Sequence, residues 1–129
     1  YSVTEFDSVA NEITLTQRLQ LANGSLLDDN NPGRLQVTQT TATMYKAVVS
    51  IGTTEESVTF GELTTPGVCY LKNLDGTNYV QWGVATTVYT GRLKASDIPA
   101  CFRLDNGATT LYLKANTAAC KVLITVYDA

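Results

Sequence analysis

The sequence predicts an all-β protein, a single antiparallel β-sandwich of about nine or ten short strands. Three observations predict it. Period-two alternation of apolar and polar residues runs through most of the 129 residues, and no stretch keeps helical spacing. Turn-forming clusters recur roughly every 8–12 residues. β-Branched residues are abundant, with 20 Thr and 12 Val, and such side chains fit a pleated, half-buried surface.

The elements follow in chain order. Residues 1–12 read as an N-terminal arm, with Tyr1, Val3, Phe6 and Val9 spaced among polar residues and no strand boundary. Such an arm either packs on its own domain or reaches a neighbouring subunit, and both readings stay open. Residues 13–129 are assigned to the sandwich. Ile13, Leu15, Leu19 and Leu21 share one parity, opposite Thr14, Thr16, Arg18 and Gln20, which reads as a long strand with a helix as competitor. Asp28-Asp29-Asn30-Asn31-Pro32-Gly33 reads as a loop by its turn chemistry. Strands are expected over 35–40 and 44–51, the second with Tyr45, Ala47, Val49 and Ile51 on one face, and then a turn over 52–56.

The second half repeats this at short intervals. Strands are expected over 58–63, 68–74, 79–84, 88–93, 101–104, 111–115 and 121–127. Pro66-Gly67 and Asp105-Asn106-Gly107 mark turns, 95–99 a polar loop, and Asp75-Gly76-Thr77-Asn78 reads as a hairpin turn. Trp82 shares parity with Val80 and Val84 and is expected between the sheets, a solvent-facing stacking role being the alternative. The echo of Tyr70-Leu71-Lys72 in Tyr112-Leu113-Lys114 is too short to define a repeat.

Composition narrows the chemistry. Without a single His there is no Ser-His-Asp or Cys-His catalysis and no imidazole switch. A net charge of −3 with scattered Lys and Arg argues against nucleic acid as a partner. No apolar run approaches the ~18–20 residues of a membrane-spanning helix. Cys69, Cys101 and Cys120 lack a CxxC knuckle and read as three small, buried, reduced thiols on strands, with one disulfide plus a spare thiol left open. The oxygen-rich Asp28–Asn31 stretch lacks the EF-hand spacing and reads as a solvated turn, as does Glu55-Glu56. Most carboxylates fall in or beside turns, where solvent is expected to keep their pKa values ordinary. There is no phosphate-binding glycine loop. No catalytic, metal or cofactor-binding residue is assigned, and the chain reads as a non-enzyme. Its start at Tyr1 reads as a processed or trimmed end, with no signal peptide ahead of it.

Four segments carry a family resemblance: Leu63 to Asp75 with its Thr-Pro-Gly turn, Asn78-Tyr79-Val80-Gln81-Trp82-Gly83, Gly91-Arg92-Leu93, and Leu111-Tyr112-Leu113-Lys114-Ala115. Together they make roughly residues 60–127 resemble small virion proteins of tailed bacteriophages. The resemblance implies a non-enzymatic, jelly-roll-like β-sandwich, present in many copies on a capsid, its neck or its tail. Capsid decoration, or cement, is the function expected, with the major capsid protein or another virion protein and further copies of the chain as partners. The location implied is the virion, assembled in the host cytoplasm, with no cofactor, nucleic acid or membrane involved. Tyr1, Val3, Phe6 and the Asp28, Asp29, Asn30, Asn31 and Arg34 stretch are the expected contact surface. The alternative is a carbohydrate- or receptor-binding module using Trp82 and some of the seven Tyr.

Overall fold

The computed structural model describes residues 10–105 and 107–129, and every regular element among them is a β-strand. By contact the chain divides into two units, residues 1–40 and 41–129. In the first, β1 (Ile13–Asn23) and β2 (Leu26–Val37) pair antiparallel with each other as a two-stranded sheet. The expected loop over Asp28–Gly33 is corrected here: these residues lie inside β2. The chain reverses instead at Asn23-Gly24-Ser25-Leu26, where Gly24 takes φ +59°, a left-handed turn conformation that glycine adopts without penalty. Turn-forming residues persist in β2 because both strands are open to water and the ladder slips between Gln17 and Leu19, which gives Pro32 an irregular position.

The second unit holds eight strands: β3 (Met44–Ile51), β4 (Glu56–Thr59), β5 (Pro66–Asn73), β6 (Val80–Gly83), β7 (Gly91–Leu93), β8 (Ala100–Arg103), β9 (Thr110–Ala115) and β10 (Cys120–Asp128). They form two four-stranded antiparallel sheets in the orders β3-β10-β5-β8 and β4-β9-β6-β7. Numbered within the unit these are 1-8-3-6 and 2-7-4-5, the strand order of a jelly roll. Consecutive strands therefore change sheet at every connection except β6–β7. The expected hairpin at Asp75–Asn78 is corrected by the same fact, since β5 and β6 belong to different sheets. The turn is real but serves a crossover. Asp75 accepts from the backbone of Thr77 and Asn78, and the buried Asn73 amide donates to the carbonyls of Asn78 and Leu93.

Alternation sorts each strand into a core side and an outer side. Ile51 of β3, Val58 of β4, Cys69 and Leu71 of β5, Val80 of β6 and Leu93 of β7 point inward, with Leu111, Leu113, Val122, Ile124 and Val126 from β9 and β10. Each such buried aliphatic side chain contributes about 1.5–3 kcal/mol. Trp82 is half-buried, as the core reading expects, and stacks on Phe102 of the opposite sheet at 4.7 Å with the planes 9° apart. Its cross-strand neighbour Gly91 leaves the room, because a Cβ there would collide with the indole ring.

Candidate functional site

The expected contact residues fall into two groups. Tyr1, Val3 and Phe6 lie outside the described residues. Asp28, Asp29, Asn30 and Asn31 are exposed along β2, with Arg34 further down the strand. Their polar groups are largely satisfied locally. Arg18 grips Asp29 with two donors, Nε to Oδ1 at 3.1 Å and Nη2 to Oδ2 at 2.9 Å. The Asn30 amide donates to Asp28, and the Gly33 backbone donates to Asn31.

Register sorts the hairpin into two faces. Cross-strand partners share a side, so Leu15 with Leu35, Leu19 with Asn30, Leu21 with Asp28 and Asn23 with Leu26 lie on one face. Thr14, Thr16, Arg18 and Gln20 with Gln36, Arg34 and Asp29 make the other. The first face is apolar and open to water: Leu19 is 68% exposed, Leu26 59%, and Leu21 and Leu35 47% each. Asp28 is its one charged residue. Leu27 adds an exposed leucine on the polar side, opposite Ala22.

A second apolar surface lies on the outside of the β3-β10-β5-β8 sheet. Its side chains form cross-strand rows: Val48–Leu123–Lys72, Lys46–Thr125–Tyr70–Cys101 and Met44–Tyr127–Val68–Arg103. Lys121 opposite Ser50 adds a fourth cation. Met44 and Val48 are each 55% exposed, whereas Thr125 at the centre is covered by its neighbours. The four strands contain one carboxylate, Asp128, and it is buried. The cations on this face therefore have no acidic neighbour within the sheet's outer surface. The outer side of the β4-β9-β6-β7 sheet differs. It presents Ser57, Thr59, Gln81, Thr110, Tyr112, Lys114 and Arg92, the last lying 4.0 Å over the Tyr79 ring.

The acidic groups that depart from ordinary behaviour act as braces. Glu55 accepts from the Thr86 hydroxyl, the Tyr89 hydroxyl and the Thr87 backbone, which together hold its carboxyl below the usual range. Asp75 is lowered by the Asn78 and Thr77 backbone donors. Burial pushes Asp128 up, but donors from Thr43, Thr65 and Thr64 outweigh it and leave the group lowered. The expectation that turn carboxylates keep ordinary values is corrected for Glu55 and Asp75, because turns supply donors as well as solvent. The three cysteines are free thiols, Cys69 and Cys120 buried and Cys101 half-buried on the apolar outer face. Burial, reinforced by nearby Cys101, pushes Cys69 up to about 12, which removes it from nucleophilic chemistry at neutral pH. The sugar-stacking alternative needs an open Trp82 face, and Phe102 lies against that ring.

Of the expected Asp28–Arg34 stretch, Asp28 and Asn30 share the leucine face while Asp29 and Arg34 lie on the polar one, and neither the leucines nor the apolar sheet face was expected as a surface. The missed signal was present: Met44 and Val48 break the alternation of β3, and Val68, Leu123 and Tyr127 do the same in β5 and β10. A sheet whose strands are apolar on both parities is built to be covered on both sides. No protein-family model, characterised protein or solved structure matches the chain.

Proposed function

We propose that the chain is a non-enzymatic structural protein of a tailed-bacteriophage virion, acting as a capsid decoration or cement protein present in many copies. The observation that carries this reading is the exposed leucine face of the β1–β2 hairpin, attached to a jelly roll with a second uncovered apolar face. An isolated two-stranded ribbon is marginal in water and gains stability once its apolar side is covered. Contiguous exposed apolar surface of this kind marks association sites. The virion setting rests on the resemblance over residues 60–127. In this reading the sandwich is a rigid spacer and its two apolar surfaces are the adhesive parts. They hold copies to a shell and to one another, so that modest contacts sum over symmetry-related sites.

The test is re-addition of the purified chain to shells of the encoding phage that lack it, followed by sedimentation and electron microscopy. Saturable binding at symmetry-related positions is the expected result. Shells that neither retain the chain nor show added density would overturn the assignment.

A further inference from the structure

We propose that the apolar face of the β1–β2 hairpin packs on the outer face of the β3-β10-β5-β8 sheet of a second copy of this chain. The contact is head-to-tail, each copy giving a hairpin and receiving one. It rests on the structural-protein reading for its setting, while the contact itself belongs to the chain alone.

Charge selects this pairing over the others. The hairpin face carries Asp28 and no cation, and the sheet face carries Lys46, Lys72, Lys121 and Arg103 and no carboxylate. Hairpin against hairpin leaves Asp28 without a cation. Sheet against sheet brings two sets of four cations together, and like charges across an interface oppose association. Only hairpin on sheet joins apolar to apolar with opposite charges facing. The whole chain is divided the same way. Residues 1–40 hold five acidic and two basic residues, and residues 41–129 hold seven of each. The net −3 therefore resides in the unit that bears the hairpin.

Dimensions agree. Strands of 11 and 12 residues make a ribbon roughly 35–40 Å long, and the eight- and nine-residue strands β3, β5 and β10 make a platform roughly 27–30 Å long. A contact that uses two different patches closes as an exchanged dimer or a ring where the rotation between copies closes, and runs on as an open filament where it does not.

Two double variants at exposed positions test the contact. Leu19→Asp with Leu21→Asp spoils the hairpin, and Met44→Asp with Val48→Asp spoils the sheet face. Unchanged Trp82 fluorescence shows that the sandwich is folded in each. In sedimentation velocity at micromolar concentration the wild-type chain is expected to be oligomeric. Each variant is expected to be monomeric, its association weakened about tenfold or more. An equimolar mixture of the two variants should recover a one-to-one dimer, since each retains the surface the other has lost. A monomeric wild type, a sheet-face variant that still oligomerises, or a mixture that stays monomeric would each overturn the proposal. Shell binding is read separately. A chain that self-associates but ignores shells refutes the virion role alone, and one that decorates shells as a monomer refutes this contact alone.

Discussion

The two outer faces of the jelly roll are built on equivalent inner faces yet differ in kind. Behind both lies one shared core, to which Ile124 and Leu71 contribute from one sheet and Leu111 and Leu113 from the other. Outside, the β4-β9-β6-β7 sheet ends in hydroxyls, an amide and two cations. The β3-β10-β5-β8 sheet instead ends in Met44, Val48, Val68, Leu123 and Tyr127 ringed by cations. The inner side chains fill the shared core, and the outer apolar set has no place in it. The difference teaches that one face is finished by water, while the other leaves apolar side chains that water does not satisfy.

The largest expected effect separates inner from outer residues on the same sheet. Ile124→Ala empties a fully buried position and should lower unfolding stability by about 2–5 kcal/mol. Val48→Thr, on an edge strand and over half exposed, should leave it within about 0.5 kcal/mol. Denaturant titration at a concentration where the chain is monomeric compares the two. Equal costs would break the comparison, because Val48 would then be a folding residue. Gly91→Ala comes next and probes the polar-faced sheet. Its new methyl meets the Trp82 indole, so an overpacking cost of about 1–3 kcal/mol is expected. Trp82 emission should shift as the stack on Phe102 loosens, and an unmoved spectrum with full stability would remove Gly91 from that account.

How much of this was legible in the sequence follows from what alternation encodes. It found all eight strands of the jelly roll, β3 to the residue, where inward parity and turn residues agree, but it ran the β4 strand on to residue 63 and took Pro66-Gly67, which open β5, for a turn. It misread Asp28–Gly33, since residues that favour turns also survive in a water-exposed strand beside a bulge. It misread Asp75–Asn78 for a different reason. The same Asx turn serves a chain that returns within a sheet and one that crosses to the other, and the choice is made by distant packing. The candidate surface was hardly legible, only Asp28 and Asn30 of the expected residues lying on it. Leu19 and Leu21 look inward-facing by parity, and only a second layer would make them so. Which layer covers a face is not written in the strand that presents it.

Asp128 gives a smaller effect that sharpens the contrast, because it lies inside the apolar-faced sheet yet beneath its outer surface. Its carboxylate ties Thr43, ahead of β3, to Thr65, ahead of β5. With its folded pKa below the ordinary 3.8, the stability it supplies is complete above that value. That stability is lost as pH falls through the lower folded value. Acid unfolding of the wild type should therefore steepen below about pH 4. Asp128→Asn should flatten that limb and cost about 1–3 kcal/mol at neutral pH through weakened hydrogen bonds. An unchanged acid limb in the variant would assign the slope to Glu55 and Asp75, both also lowered.

The last effect leaves stability untouched and reads the apolar face directly. Cys101 stands in the row Lys46–Thr125–Tyr70–Cys101, while Cys69 and Cys120 are buried. A thiol reagent on the folded chain should therefore modify one cysteine first. Burial raises the Cys101 pKa, so its reaction should speed up as pH rises and more thiolate forms. If a hairpin from a neighbouring copy covers this face, Cys101 should be protected in the wild type. It should then react faster in the Leu19→Asp, Leu21→Asp variant at the same pH. Protection should also fade on dilution as the assembly dissociates. Equal labelling rates in wild type and variant at every concentration would mean that the face stays open, and the difference between the two outer surfaces would need another cause.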